Sequence, residues 1–244
     1  MPPPDKLNPP IANRLLAALP RGEYRRLLPE LEQVAMPFAA VLYEAGGLIR
    51  HVYFPNDSIV SLLSVVADRS TLEVGVVGNE GMAGIPVFLG VGTSRNRAII
   101  QGAGTAMRMK ASVLRREAEG AGALRHLLHL YTHSLLTQVS QSAACNRFHL
   151  VEARLARWLL TMHDRLRSDE FRLTQEFMSD MLGVRREGVS KAAGALQKDG
   201  LINYSRGRIK ILDRAGLEAV ACECYVVVRD DVWKIQQPRP ASGT

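Results

Sequence analysis

The chain has 244 residues, of which 47% are hydrophobic and 23% charged, and its formal net charge is +7. This length accommodates two compact domains, and the composition excludes a disordered or membrane-embedded chain. No run approaches the roughly 18 apolar residues of a membrane span, and the start lacks the apolar core of a signal peptide. We therefore expect a cytoplasmic protein whose three cysteines form no disulfide framework.

Both ends of the chain are predicted to be disordered tails, because residues 1–10 and 236–244 are too rich in proline and polar residues to bury apolar surface. Between Ile11 and Leu31, leucines recur at helical spacing on either side of Pro20. This pattern predicts one or two short helices at the start of the folded region.

From about Val34 to Met109 the pattern changes to short apolar runs separated by turn residues such as Gly46-Gly47, Asn56-Asp57 and Asp68-Arg69. The runs are Ala40–Tyr43, His51–Phe54, Ile59–Val66, Leu72–Val77, Arg97–Ile100 and Thr105–Met109. Strands at this spacing predict an antiparallel barrel or jelly roll. A parallel α/β sheet is not expected, because no long helical patterns alternate with the strands.

A long helix is predicted from about Ala121 to Ala144, since apolar residues recur there at helical spacing. Its apolar stripe consists of Leu124, Leu127, Leu128, Tyr131, Leu135 and Val139. The stripe offers more apolar surface than a small barrel needs, which favours a homodimer interface. Packing of the stripe against its own barrel is the alternative. A further helix is predicted from Val151 to Met162, and the last domain begins near residues 145–149.

Residues 173–196 carry the pattern of a helix-turn-helix. Thr174 can cap the first helix, and Gly183 lies where the chain must turn sharply, a position that favours positive φ. The second helix has a buried stripe at i, i+3, i+4 and i+7 spacing, formed by Val189, Ala192, Ala193 and Leu196. Its opposite face carries Arg185, Arg186, Glu187, Ser190 and Lys191, which are side chains able to meet base edges in a major groove.

The segment from Leu201 to Ile211 predicts a β-hairpin wing whose Arg206 and Arg208 are placed to contact phosphates. The segment from Arg185 to Arg214 contains eight basic and three acidic residues, so it holds +5 of the net charge of +7. A clustered basic surface attracts nucleic acid. The pattern therefore predicts DNA binding, the alternative being a plain helical hairpin with a structural β-ribbon.

These features resemble the Crp/Fnr family of bacterial regulators over roughly Ala12 to Asp213, most strongly from Leu173 to Ile211. Arg186, Glu187, Ser190 and Lys191 occupy the places of that family's recognition-helix motif, with lysine replacing the usual last arginine. The resemblance implies an α+β fold. An N-terminal antiparallel, eight-stranded β-roll (a jelly roll of the cyclic-nucleotide-binding type) would precede a long dimerisation helix and a C-terminal winged helix-turn-helix.

The domain organisation that follows is a tail at 1–10, a roll at 11–120, a dimerisation helix at 121–145, a DNA-binding domain at 146–225 and an extension at 226–244, disordered at its end. The resemblance implies a homodimer that binds double-stranded DNA at an inverted-repeat operator. RNA polymerase and a small-molecule effector of unknown identity are its further expected partners. The alternatives are an effector-binding module that contacts protein rather than DNA, and an enzyme with a nucleotide-binding regulatory roll.

The family's effector residues are largely missing. Its cyclic-nucleotide binders hold the ribose with a glutamate and the phosphate with an arginine followed by serine or threonine. Here Met82 stands near the place of that glutamate, and Arg97 is followed directly by alanine. Glu80, Arg95 and Arg97 are the remaining candidate effector residues, and we expect no tight binding of cyclic AMP. The family's N-terminal iron–sulfur cluster is not expected, because no cysteine precedes Cys145.

Other patterns point to no further site. His126, His129 and His133 lie on the long helix at a spacing that could bring imidazoles together for a metal or haem, but histidines on a partly exposed helix are usually polar surface. Cys222-Glu223-Cys224 is interpreted as partly buried thiols rather than a redox pair. No nucleophile triad, carboxylate pair or phosphate-binding loop is present, so we expect no catalytic residue, no metal, no cofactor and no enzyme activity.

Overall fold

A computed structural model describes residues 11–66, 71–166 and 168–235 of the chain. The N-terminal half forms two antiparallel sheets preceded by short helices. The first helices are α1 (Arg14–Ala17) and α2 (Arg21–Leu27), with a 3₁₀ turn at Leu28–Glu30. The strands are β1 (Glu32–Met36), β2 (Val41–Tyr43), β3 (His51–Pro55), β4 (Ile59–Val65), β5 (Thr71–Val77), β6 (Asn96–Gly102) and β7 (Gly104–Lys110). A short helix, α3 (Ile85–Phe88), lies between β5 and β6.

The two sheets have the strand orders β1-β7-β3 and β2-β6-β4-β5, with every pairing antiparallel. Each apolar run of the sequence forms a strand, which confirms the predicted roll, although β1 begins before Val34 and α3 was not predicted. The described part of the roll holds seven strands rather than the eight that the family resemblance implies. Isolated bridges add Leu48 to Thr93 and Tyr53 to Ala83.

Strand β4 is buried on both faces because it separates two hydrophobic cores. Val60 and Leu62 belong to the core inside the roll, whereas Ile59 and Leu63 belong to the core of the C-terminal part. Alternation along a strand sends neighbouring side chains to opposite faces. The run of apolar residues at 59–63 therefore reflects a strand covered on both sides.

Two helices follow the roll, α4 (Ala111–Glu119) and the long α5 (Ala123–Phe148), which continues four residues past the predicted end at Ala144. The predicted dimer stripe of α5 is mostly intramolecular. Leu124, Leu128 and Tyr131 are buried in the roll core, and Leu127 and Leu135 pack against it. Of that stripe only Val139 is exposed. The helical period identified an apolar face correctly but assigned it to a partner chain, while the roll already covers it.

The C-terminal part begins at α6, directly after a break at residues 149–150. Its elements are α6 (Val151–Leu166), β8 (Glu170–Arg172), α7 (Gln175–Leu182), α8 (Arg186–Lys198), β9 (Ile202–Ser205), β10 (Arg208–Ile211), α9 (Arg214–Val220) and α10 (Cys224–Ile235). The three strands form one antiparallel sheet in the order β8-β10-β9. Strand β8 and helices α9 and α10 were not predicted.

Helix α10 packs on α5 and α6, so the extension expected from residue 226 onwards is helical as far as Ile235. The predicted tails at 1–10 and 236–244, and the turn at Asp68-Arg69, lie outside the described residues. Within the described ranges, no helix combines the length and apolarity needed to cross a bilayer.

The turn between β9 and β10 has an uncommon backbone. Arg206 and Gly207 have φ of +50° and +73°, so both central residues of this two-residue turn are left-handed. Such turns match the twist of a hairpin but normally place asparagine, aspartate or glycine at the first position. Arg206 therefore occupies a conformation that is unfavourable for a side chain with a Cβ.

We expect Arg206→Gly to raise the free energy of unfolding by up to about 1 kcal/mol, because glycine adopts positive φ without the Cβ clash. Urea denaturation measures the change. The matched control is Arg208→Gly, which removes the same charge two residues later within β10 and should destabilise the fold. A loss of stability in both variants would contradict the argument from the turn.

Candidate nucleic-acid interface

The connection between α7 and α8 is fixed by local hydrogen bonds. Thr174 caps α7, its side chain accepting a hydrogen bond from the backbone N–H of Phe177 at 3.2 Å. Gly183 ends α7 with φ of +60°. The N–H of Val184 then donates to the Ser179 carbonyl at 3.1 Å, and the Ser179 hydroxyl donates to the Val184 carbonyl at 2.6 Å. These contacts show why the sequence needs a capping threonine, a small polar residue and a glycine at these positions.

Helix α8 presents a buried and an exposed face, as predicted. Its buried stripe, Val189, Ala192, Ala193 and Leu196, packs into the C-terminal core. We define the recognition face as the exposed side chains at the start of the helix, namely Arg185, Arg186, Glu187, Ser190 and Lys191. Arg186 forms an exposed ion pair with Glu176 of α7, with 2.6 Å between Nη2 and Oε1.

The wing lies beside the recognition helix. Ile209 and Ile211 of β10 are buried in the C-terminal core, so alternation leaves Arg208 and Lys210 in solvent. Arg206 is exposed at the tip, and Arg208 forms an exposed ion pair with Glu170 at 3.1 Å.

Two contacts hold the hairpin in place. The N–H of Tyr204 donates to Oε1 of Gln197 on α8 at 2.7 Å, and the N–H of Leu173 donates to the Gly207 carbonyl at 2.7 Å. The wing tip is thus brought next to the N-terminus of α7, where Thr174 is exposed. All eight sequence-predicted DNA-contacting residues therefore lie on exposed positions of α7, α8 and the wing.

Comparison with protein families identifies this arrangement. Residues 153–220 match the family model described as the Crp-like helix-turn-helix domain. Residues 153–220 therefore form a helix-turn-helix domain of the Crp-like family. The resemblance to the Crp/Fnr family drawn from the sequence is thereby confirmed for this domain. A comparison with curated proteins gave no match.

Solved structures show the same fold at low sequence identity. FixK2 from Bradyrhizobium japonicum has a TM-score of 0.66 and 17% identity, covering 79% of this chain and 98% of that one. A CRP-family transcriptional regulator from Thermus thermophilus has a TM-score of 0.63 and 21% identity, with coverages of 78% and 96%. The c-di-GMP-responsive regulator CLP from Xanthomonas campestris has a TM-score of 0.61 and 17% identity, with coverages of 80% and 100%.

The candidate effector residues of the roll do not form a pocket with one another. Glu80 is buried and forms an ion pair with Arg165 of α6, with 2.8 Å between Oε1 and Nη2. The same carboxylate accepts a hydrogen bond from the N–H of Gly78 at 3.1 Å. The carboxylate of Glu80, which was expected to meet an effector, is thus paired with a residue of the C-terminal part.

The two candidate arginines also lack an effector-like setting. Arg97 forms an ion pair with Glu44 at 3.2 Å, and Arg95 is exposed. Met82, which stands near the place of the ribose-binding glutamate, is fully buried in the roll core. Tyr131 of α5 is buried against the backbone of Gly81, so an aromatic ring fills the space over this loop.

The three cysteines lie close together, a grouping that the sequence analysis did not predict. The donor atoms of three cysteines and one histidine lie within 4.8 Å of one another, and we call these residues the cysteine–histidine cluster: Cys145, His149, Cys222 and Cys224. The three cysteines are free thiols and are buried. The sequence signal for this group was the pair Cys145 and His149, four residues apart at the end of α5, together with the Cys-x-Cys at residues 222–224.

The cluster perturbs its own protonation. Pairing with Cys222, together with the nearby Arg157 guanidinium and His149, lowers the pKa of Cys145 to about 5. The pairing with Cys145 and burial raise the pKa of Cys222. The pKa of His149 is raised, chiefly by its hydrogen bond to Cys145.

The histidines that the sequence placed on α5 do not share a site. The ring of His129 packs edge-on against Phe88, with 4.9 Å between centroids, while His126 is exposed.

A titratable carboxylate joins the roll to α6. Oε1 of Glu73 on β5 accepts a hydrogen bond from the Trp158 indole at 2.9 Å, and Oε2 lies 2.7 Å from the Ser61 hydroxyl. Ser61 has one proton but two acceptors, since Oε1 of Gln101 is also in contact with it. Burial raises the pKa of Glu73 to about 7. A protonated Glu73 can donate to Ser61, which then donates to Gln101.

We expect Glu73→Gln to stabilise the protein above pH 7 by about 1–2 kcal/mol, allowing for the partial solvent exposure of residue 73. Because the pKa of Glu73 is raised in the folded state, the wild-type side chain does not lower the free energy of unfolding at a pH below its unfolded pKa. It lowers that free energy most at a pH above its folded pKa, where a charge must stay buried. The stability difference between variant and wild type should therefore grow between about pH 4.5 and pH 7.

Urea denaturation of both proteins across this pH range gives the measurement. Glu119→Gln, an exposed carboxylate at the end of α4, is the control and should show no such growing difference. A Glu73→Gln protein that is less stable than wild type at every pH would contradict the raised pKa.

Proposed function

We propose that the chain acts as a homodimeric transcription regulator that binds an inverted-repeat DNA site through α8. The observation that carries this proposal is the recognition face, whose five polar side chains share the exposed side of one helix beside a basic wing. A recognition helix of this kind enters the major groove with its N-terminal residues toward the bases.

The residue types of the recognition face match the groups that bases expose. Arg186 and Lys191 are donors suited to guanine N7 and O6, and Glu187 is an acceptor suited to the cytosine amino group. Lysine is a point charge rather than a planar fork, so Lys191 would discriminate guanine less sharply than arginine. Sequence preference should therefore depend most on Arg186 and Glu187.

The wing and the start of α7 supply phosphate contacts in this proposal. Arg206 and Arg208 carry charge toward the DNA backbone, and the Thr174 region presents the N-terminus of α7, where backbone N–H groups favour an anion. The ion pairs Arg186–Glu176 and Arg208–Glu170 are exposed on both sides. Exposed ion pairs contribute little to stability, so little free energy is lost when Arg186 or Arg208 leaves its carboxylate partner to contact DNA.

The dimer interface is proposed on the part of α5 that the roll leaves free. Leu136 is 63% exposed and Val139 is 36% exposed, and Ala143 follows at the same helical spacing. Exposed apolar residues at i, i+3 and i+7 form a stripe that a second copy of the helix can cover. A two-fold axis along α5 would place two copies of α8 in successive major grooves, about 34 Å apart.

We further propose that the roll does not bind cyclic AMP tightly. Glu80 is engaged by Arg165, and Met82 fills the core where a ribose-binding carboxylate would be needed. The known relative CLP is described as c-di-GMP-responsive, but at 17% identity it assigns no ligand residue here. RNA polymerase and an effector stay predictions from the resemblance.

We expect Lys191→Ala and Arg186→Glu to abolish binding to the cognate DNA while leaving the oligomeric state unchanged. Selection of bound sequences from random DNA with the wild-type chain first supplies the site, and gel shifts then compare the variants. Lys110→Ala removes the same charge as Lys191→Ala from an exposed position on β7 and should bind as wild type. Equal binding by Lys191→Ala and wild type would overturn the assignment of the recognition face.

The salt dependence of DNA affinity separates this function from a protein-contacting module. A DNA-binding domain with several phosphate contacts should lose affinity steeply as salt increases. Arg206→Ala should weaken all sequences alike and lower the slope of the log–log plot by about 1. If no DNA sequence can be selected and the affinity for DNA does not change with salt, the alternative of a module that contacts protein rather than DNA is favoured.

We expect Leu136→Asp to convert a dimer into a monomer, because an unpaired carboxylate would be buried in the α5 interface. Light scattering on a size-exclusion column measures the mass. Leu48→Asp is a matched control, since Leu48 is also 63% exposed but lies in the roll. A Leu136→Asp protein that remains dimeric would place the interface elsewhere.

A further inference from the structure

The cysteine–histidine cluster has the composition of a closed structural metal site. Zinc in such sites takes four ligands from cysteine and histidine, and three cysteines with one histidine is a common set. The four residues come from three places in the chain: the end of α5, the connection to α6, and the segment that begins α10. Folding has therefore gathered donors as far apart as Cys145 and Cys224, 79 residues along the chain, into one largely buried cluster.

The spacing of the donor atoms fits a single ion. Zn–S bonds of about 2.3 Å and Zn–N bonds of about 2.0 Å place tetrahedral ligands roughly 3.5–3.8 Å from one another. In the structure the Sγ atoms of Cys145 and Cys222 are 3.5 Å apart, and Sγ of Cys224 lies 3.6 Å from Nδ1 of His149. The sulfur ligands of an iron–sulfur cluster bind different iron atoms and must lie farther apart, so this geometry favours one ion.

The second ring nitrogen of the histidine is also engaged. Nδ1 of His149 faces the thiols, while Nε2 lies 3.1 Å from the carboxylate of Glu223. A metal-bound histidine usually donates its other N–H to a carboxylate, which fixes the tautomer and orients the ring. Glu223 therefore stands where an orienting carboxylate is needed, between the two cysteines of the Cys-x-Cys.

Positive charge next to the cluster suits thiolate ligands. Zn²⁺ with three thiolates and a neutral imidazole has a net charge of −1. The guanidinium of Arg157 is close enough to favour the thiolate of Cys145, and its Nε atom is buried without a hydrogen-bond partner among the described residues. Arg154 is also buried, and electrostatic attraction to Cys145 and Cys222 favours its charged form. Without a metal, three buried thiols offer these cations little compensation.

We propose that the cysteine–histidine cluster binds one Zn²⁺ ion per chain as a structural site. The ion fastens α10 to the junction of α5 and α6, which is the point where the long helix meets the DNA-binding domain. Arg154 extends this connection, because its guanidinium donates to Asn146 at 2.7 Å and to the carbonyl of Leu182, the last residue of α7. Metal binding in such a site contributes directly to folding stability.

Metal content of the full-length chain tests the proposal. The protein is purified without a polyhistidine tag under reducing, oxygen-free conditions, equilibrated with Zn²⁺ and separated from free metal by gel filtration. We expect elemental mass spectrometry to find about one zinc ion per chain, because a closed four-ligand site holds a single ion. Replacement by Co²⁺ should give the intense visible bands of a tetrahedral thiolate site.

Variants separate coordination from a general effect on folding. Cys224→Ser and His149→Asn should lose the bound metal and the cobalt spectrum, whereas His126→Asn, an exposed histidine of α5, should keep both. Glu223→Gln leaves all four ligands and should weaken zinc binding by about 10–100-fold in competition with a chelating dye. Circular dichroism verifies that each variant is folded.

Three results would overturn the proposal. The first is a reduced wild-type chain that retains no zinc and gives no cobalt spectrum. The second is equal metal content in Cys224→Ser, His149→Asn and wild type. The third is a metal-free protein in which Cys145 and Cys222 form a disulfide even under reducing conditions. Iron or copper bound in place of offered zinc would overturn the choice of metal.

Discussion

The packing of α6 against the outer face of the roll is the contact on which the rest of the structure depends. Ile59, Leu63 and Val76 of the roll belong to the same hydrophobic core as Leu155 and the other buried residues of α6. The roll and the DNA-binding domain therefore share apolar surface that neither could leave exposed alone. Their relative orientation follows from side-chain packing and not from the short connection at residues 149–150.

Charged groups at this contact determine its register more than its strength. The ion pair Glu80–Arg165 is nearly inaccessible to solvent, with 5% and 10% of the side chains exposed. Burying two charges costs desolvation that their attraction only partly returns, so such a pair contributes little net stability. A shift of α6 along the sheet would leave both charges buried and unpaired, which is far more costly. The pair therefore restricts the ways in which the two parts can dock.

The sequence predicted the helix-turn-helix well because its determinants are local. A threonine cap, a glycine with positive φ and an apolar stripe at helical spacing each act within one or two turns of chain. The strands of the roll were also recognisable, since turn residues separate their apolar runs. Both cases rest on short-range rules that hold in most sequences.

The failures concern partners that lie far away in the chain. Periodicity showed that α5 has an apolar face, but Leu128 is covered by the roll rather than by a second chain. Glu80 was assigned to an effector because Arg165, its partner, lies 85 residues away. The three cysteines were treated separately because no local rule joins Cys145 to Cys222. Spacing describes one face of one element and does not identify what covers it.

The α5–α6 junction joins the long helix α5 to the helix-turn-helix, and the contacts at this junction determine how rigidly the two are connected. Arg154 links Asn146 on α5 to the end of α7, and α10 packs on both α5 and α6. In the proposed dimer, a rigid junction would fix the distance between the two copies of α8, and a loose junction would leave that distance variable. The proposed dimer needs its two recognition helices at a fixed separation, so we expect residues at this junction to influence DNA binding without touching DNA.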